Sequence, residues 1–190
     1  MDERTLIDRA QKGDTGAFEQ LALPCEQMVW RVCYQLTGNQ EDAEDCAQST
    51  MIKAWKRIGQ FSGSSAFSSW IYRIAVTTST DLLRSRSREN TVSLTDLTES
   101  GFDPPSRLPG PEESILHADR DRRLREALAR LSPEHRVPLI LFCVEDKKYA
   151  EIASLLGIAE GTVKSRIARA RHLLRREWTA ANAQEGRTSI

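Results

Sequence analysis

From Gly161 to Arg176 the chain reads Gly161-Thr162-Val163-Lys164-Ser165-Arg166-Ile167-Ala168-Arg169-Ala170-Arg171-His172-Leu173-Leu174-Arg175-Arg176. This segment carries repeated positive charge and no acid, although the whole sequence balances 27 basic against 27 acidic residues. Such a segment can hold a polyanion, because guanidinium and ammonium groups pair with phosphate and displace its counterions. At about 100° per residue, Val163, Ile167, Ala170 and Leu174 fall on one stripe. Lys164, Ser165, Ala168, Arg169, Arg171, His172, Arg175 and Arg176 spread over the opposite side. One face packs and the other meets phosphate.

A second surface lies between Phe67 and Arg88. Phe67, Ile71, Ile74, Thr78 and Leu82 form a core stripe there, and Trp70, Arg73, Thr77, Thr80, Arg84 and Arg88 share another. Arginine supplies charge for phosphate, a hydroxyl bonds base edges or backbone, and an indole stacks on an exposed base. Trp70 reads first as a core residue and only then as a stacking one. The preceding Phe61-Ser62-Gly63-Ser64-Ser65-Ala66 is a flexible, hydroxyl-rich loop of the kind that receives an extruded base.

A third surface has a different character. Between 40 and 58, Ala43, Ala47, Thr50, Met51, Ala54 and Ile58 point inward, leaving Asp42, Asp45, Gln48, Ser49 and Lys56 outward with Ile52 among them. The acids repel DNA, so this face suits a protein partner.

No other cluster suggests chemistry. Cys25, Cys33, Cys46 and Cys143 lack paired spacing and read as buried free thiols, and His117, His135 and His172 are scattered. Neither a metal, a cofactor nor a catalytic function is expected.

The elements that must position these surfaces are helical. Tyr149-Ala150-Glu151-Ile152-Ala153-Ser154-Leu155-Leu156 has helical apolar spacing, and Gly157 stands where a left-handed residue would end that helix before the basic one opens. Helix, glycine turn and basic helix make a helix-turn-helix, with small Ala153 allowing a close crossing. Helices are expected at roughly 3 to 11, 15 to 37, 40 to 58 and 66 to 88, then 112 to 130, 133 to 145, 148 to 156 and 161 to 178. Ser132 caps the helix that begins at Pro133, and Pro138, several residues further on, removes a backbone bond and kinks it.

The chain is therefore expected to be all-α, with two small helical domains joined by a flexible linker. Residues 1–89 form the first domain and 90–111, rich in Ser, Thr, Pro and Gly, the linker. Residues 112–178 form the second domain, and 179–190 a frayed tail. The polar start and the absence of a long apolar run imply a cytoplasmic protein without membrane insertion.

Taken together, these residues resemble the extracytoplasmic-function group of bacterial sigma factors, within the sigma-70 family. The resemblance rests on Asp42-Ala43-Glu44-Asp45-Cys46-Ala47-Gln48, Lys53-Ala54-Trp55 and the run from Phe61 to Ala75, then on Tyr149 to Ala153 and Gly161 to Arg171. It implies core RNA polymerase, promoter DNA and an anti-sigma factor as partners. Asp42, Asp45, Gln48, Ser49 and Ile52 would bind polymerase. Phe61, Ser62, Gly63, Ser64, Ser65, Trp70, Arg73, Thr77 and Arg84 would hold the melted minus-ten strand. Thr162, Lys164, Ser165, Arg166, Arg169 and Arg171 would read the minus-thirty-five duplex, with Arg166 nearer the packed flank. The sequence departs from the group's habit at Thr77, often Asn, at Ser49, usually Glu, and at Ala159, typically a capping Ser. A stand-alone helix-turn-helix regulator is the alternative.

Overall fold

A computed structural model describes residues 2–92 and 122–185, all of whose regular elements are helical. The expected linker, 90–111, lies outside the described residues from residue 93 onward, as does the start of the helix expected from 112. The chain divides into two compact units, Met1–Arg86 and Ser87–Ile190.

The first unit holds α1 (Glu3–Gln11), α2 (Thr15–Ala22), α3 (Glu26–Thr37), α4 (Gln40–Arg57) and α5, which begins at Phe67 and runs on to Val92. Side-chain caps start α1, α2 and α4, where backbone N–H groups would be orphaned. Asp2 accepts from Thr5 N at 3.0 Å, Asp14 from Ala17 N at 3.0 Å and Asn39 from Asp42 N at 2.8 Å. The helix expected over 15 to 37 is two helices separated by a 3₁₀ turn, Leu23–Cys25, because Pro24 has no N–H to continue the ladder. Gly38, at φ 84°, ends α3 in the left-handed region that glycine enters without strain.

Helix α3 packs along α4. Val29, Val32, Cys33 and Leu36 of α3 meet Ala43, Cys46, Thr50 and Ala54 of α4 in the core, to which α5 adds Ile71, Ala75 and Val76. Beside it Phe18, Trp55, Phe61, Phe67 and Trp70 form an aromatic cluster with ring centroids 5.1 to 6.1 Å apart. The neighbouring Cys46 side chain and burial push the Cys33 thiol well above the ordinary thiol range.

The second unit contains α6 (helical over 122–129), α7 (Pro133–Cys143), α8 (Tyr149–Leu156) and α9 (Glu160–Glu185). Helices α7 and α8 both pack on α9. Val137, Ile140 and Leu141, Ile152, and Val163, Ile167 and Ala170 supply buried side chains from the three helices in turn.

Four expectations change here. Helix α9 continues to Glu185, so 179–185, expected to fray, are helical. Helix α7, expected to reach residue 145, ends at Cys143; it contains Pro138, whose ring is buried with Val137 and Leu139. Ser132 stands at the N-cap of α7, but its hydroxyl bonds His135 Nδ1 at 2.7 Å instead of capping the backbone. Cys143, expected inside, is exposed because it falls at the end of α7, beyond the packed turns.

Ile71 of α5 is wholly buried. Ile71→Ala is expected to lower unfolding free energy by about 3 kcal/mol in urea titration, through lost transfer energy and a residual cavity.

Candidate nucleic-acid interface

Helix α9 presents its charges as its periodicity requires. Val163 and Ala170 are fully buried and Ile167 nearly so, whereas Lys164, Ser165, Ala168, Arg169, Arg171, His172, Arg175 and Arg176 are all exposed. Helix α8 reaches it through Gly157 at φ 65°, and Ile158 N closes the turn on Ala153 O at 3.1 Å. At the other end of α8, Glu151 folds back to accept from Lys148 N at 2.9 Å, satisfying a donor at the helix start.

The individual cations differ. Arg169 is exposed and has no ion pair among the described residues. Lys164 Nζ lies 2.8 Å from Glu160 and 5.5 Å from the centroid of Tyr149, and the hydrogen bond to Glu160 raises its pKa. Arg166 is half-buried and reaches Glu134 of α7 at 3.6 Å, so it occupies the packed flank, where the angular count put it. Arg171 lies over the Phe142 ring at 5.1 Å and approaches Cys143 Sγ at 3.9 Å, which turns its head toward α7. Thr162 is half-buried, and the Ser165 hydroxyl donates to Thr162 O at 3.0 Å.

On α5, Arg73, Thr77, Arg84 and Arg88 are exposed, and Arg84 and Arg88 carry no ion pair among the described residues. The Thr77 hydroxyl donates to Arg73 O at 2.8 Å, which leaves its lone pairs available. Asp81, also exposed, adds a carboxylate beside them that the sequence reading did not count. Thr80, expected on this stripe, is buried and donates to Val76 O at 2.7 Å; that bond satisfies the hydroxyl and lets the helix turn it inward. Trp70 is half-buried, with its ring against Phe61 and Phe67.

The loop before α5 exposes Ser62, Gly63, Ser64 and Ser65, with Gly63 at φ 71° and Ser62 Oγ 2.9 Å from Ser64 Oγ. Phe61, expected to belong to the loop's contact surface, is only 5% exposed, because its ring completes the aromatic cluster. A polar cavity of about 440 Å³ lies between this loop and α1, lined by Glu3, Asp8, Gln11, Ser62, Gly63 and Ser65 among others. Gln11 Nε2 donates to Ile58 O at 3.1 Å and Phe61 O at 2.8 Å, and Glu3 accepts from Phe67 N at 3.2 Å. These α1 residues were missed because they lie 47 to 64 residues from their partners and form no local pattern.

On α4, Asp45 and Gln48 are exposed, Ser49 is half-buried and Ile52 is 48% exposed. Asp42, expected outward with them, is buried instead and is paired with Arg86 and Asn39. Helix geometry sets it one turn before buried Cys46, and the cation compensates a carboxylate that the wheel alone would place in water.

Each half of the chain matches a known family. The family described as Sigma-70 region 2 matches residues 21–89, and Sigma-70, region 4 matches 121–174. The chain belongs to the sigma-70 family of RNA polymerase sigma factors, in its extracytoplasmic-function group. Among similar relatives, the ECF RNA polymerase sigma factor SigW of Bacillus subtilis is 28% identical over 90% of this chain and 94% of its own length. The RNA polymerase sigma-H factor of Pseudomonas aeruginosa is 30% identical over 90% and 91%. Among solved structures, the sigma factor RpoE in complex with the anti-sigma factor NepR from Bartonella quintana has a TM-score of 0.63 at 27% identity, covering 85% of this chain and 96% of that one. CnrH in complex with the cytosolic domain of CnrY shares the fold, with a TM-score of 0.60 at 23% identity over 94% of this chain and 99% of that one. The sigma factor thus carries, in its two units, two exposed basic faces and a mixed acidic and apolar face on α4.

In this sigma factor Ala159 stands just before the first residue of α9 and accepts from Thr162 N and Val163 N through its carbonyl, but its methyl offers no side-chain cap. Ala159→Ser is expected to stabilise the fold by about 1 kcal/mol, read as a rise in the midpoint of thermal unfolding.

Proposed function

We propose that the first unit holds the non-template strand of the minus-ten element along the α5 stripe, while α9 reads the minus-thirty-five duplex. The observation that carries this reading is the presence of two exposed cationic faces on separately folded units of a sigma factor. Arg73, Thr77 and Arg84 track the opened strand, Trp70 presents the accessible part of its ring to a base, and Ser62, Gly63 and Ser65, with exposed Ser64 in the same loop, border the cavity into which a base is extruded. Lys164, Ser165 and Arg169 face the upstream duplex. Arg166, Arg171 and Thr162 act closer to the protein body, positioning the helix and reaching phosphate at its edge.

Duplex opening is driven by differential affinity. The first unit binds unstacked bases better than paired ones, which offsets a few kcal/mol of unstacking. Linking the two readers raises the effective concentration of one once the other is seated. No bond is made or broken by this chain in that scheme; nucleotide addition belongs to the polymerase. The exposed Asp45, Gln48 and Ile52 of α4, with Ser49 beside them, form the face that docks on core RNA polymerase, where acids avoid competition from DNA. The protein works in the cytoplasm, where that polymerase is found.

A dedicated anti-sigma factor is the natural regulator, since a similar sigma factor from Bartonella quintana is held by one. A stand-alone helix-turn-helix regulator would use α8 and α9 but leave the α4 and α5 surfaces without a task.

In transcription assays with core enzyme on a promoter library, two enriched elements at fixed spacing are expected. Lys164→Glu with Arg169→Glu is expected to abolish dependence on the upstream element while core binding persists. Asp45→Arg is expected to weaken core binding by about tenfold in a competition assay, because a cation replaces an anion at a complementary interface. Unchanged behaviour in both variants would remove these surfaces from the mechanism.

A further inference from the structure

We infer that the ion pair between Asp42 and Arg86 is a positioning device that fixes the rotation of the outer half of α5 and so aims its DNA-facing stripe. The inference rests on the assignment of that stripe to the melted strand. Its starting point is a change along α5. From Ile71 to Thr80 the helix buries eight side chains, all but Arg73 and Thr77, whereas from Asp81 to Glu89 it buries none: Leu82 and Leu83 are half-buried and the rest are exposed. Core packing therefore holds the first half of the helix and fades over the second, which carries Arg84 and Arg88.

Arg86 bridges this gap. Its two terminal nitrogens reach the two carboxylate oxygens of Asp42 in a fork. The Asp42 side chain is 3% exposed, so the carboxylate is almost wholly withdrawn from water, while the Arg86 side chain remains 49% exposed. Asp42 is itself immobilised: Asn39 Nδ2 donates to its carboxylate at 2.6 Å and Asn39 Oδ1 accepts from its backbone N–H at 2.8 Å. A bidentate guanidinium pair is directional, so it resists rotation of the helix as well as separation.

The helical register converts that anchor into an aim. At about 100° per residue, Arg84 and Arg88 each lie about 160° around the helix from Arg86, and Thr77 lies about 180° from it. Drawing Arg86 toward Asp42 turns the whole stripe outward. Asp42 also stands three residues before Asp45 on α4, so the face proposed for polymerase and the anchor of the DNA stripe share a single helical turn.

The test separates aiming from folding. Asp42→Asn keeps the shape and the Asn39 contacts, Arg86→Met keeps the apolar stem, and the double variant leaves neither charge unpaired. Each is assembled with core enzyme; core affinity is measured by competition, and strand opening by permanganate reactivity of minus-ten thymines. Core affinity is expected to stay within about twofold, and opening to fall by about tenfold in each single variant. The double variant is expected to lose no more than the worse single one, because the two groups act as a unit.

Arg84→Ala, in a chain whose Asp42–Arg86 pair is intact, is a separate arm and is expected to reduce opening. If it does so while Asp42→Asn and Arg86→Met open normally, the positioning role is overturned and the stripe assignment stands. If Arg84→Ala and Arg88→Ala both open normally, the stripe assignment falls instead. A parallel loss of core affinity, opening and thermal midpoint in the Asp42 and Arg86 variants would show a merely structural pair and also overturn the inference.

Discussion

A carboxylate withdrawn from water needs a cation, and Asp42 has one in Arg86. That requirement ties the start of α4 to the far part of α5, two regions 44 residues apart. It gives α5 a polar anchor at Arg86, beyond the last residue that its apolar face buries. The partly acidic outer face of α4 and the basic outer face of α5 are thereby set on a common frame of two helices.

The second unit solves a similar problem with less charge and more apolar packing. Val163, Ile167 and Ala170 seat α9, Gly157 sets the turn that leads into it, and the Arg166 contact with Glu134 ties it to α7. Only after these contacts have consumed one flank does a cationic face remain for a ligand. The basic segment is thus divided: Arg169 stands free of ion pairs among the described residues, while Arg166 and Arg171 are partly occupied by the protein itself.

Periodicity made the architecture legible. The stripe of Val163, Ile167 and Ala170 and the exposure of its opposite face follow from spacing alone, and Gly157 marks a helix end by its residue type. What spacing could not show were side chains whose surroundings come from distant sequence. Asp42 reads as a surface acid until Arg86 is placed beside it, and Phe61 reads as a loop residue until Phe67 and Trp70 enclose it. Thr80 shares the exposed stripe by angle, yet its hydroxyl is satisfied by its own helix and it sinks inward. Glu3 and Gln11 carry no motif, and their work in holding the loop appears only when α1 is laid against it.

The contact between Lys164 and Glu160 bears on how α9 responds to ionic conditions. In the proposed reading, a DNA phosphate arriving at Lys164 competes with a tethered anion that the protein carries with it, so the gain there is the difference between two attractions. At Arg169 the arriving phosphate meets a cation with no such resident. Thermodynamically the first site exchanges one neighbour for another, whereas the second adds a full charge to the sum that sets the steepness of binding against electrolyte concentration. Two cations on adjoining turns of one helix therefore contribute unequally to that slope, although formal charge counts them the same.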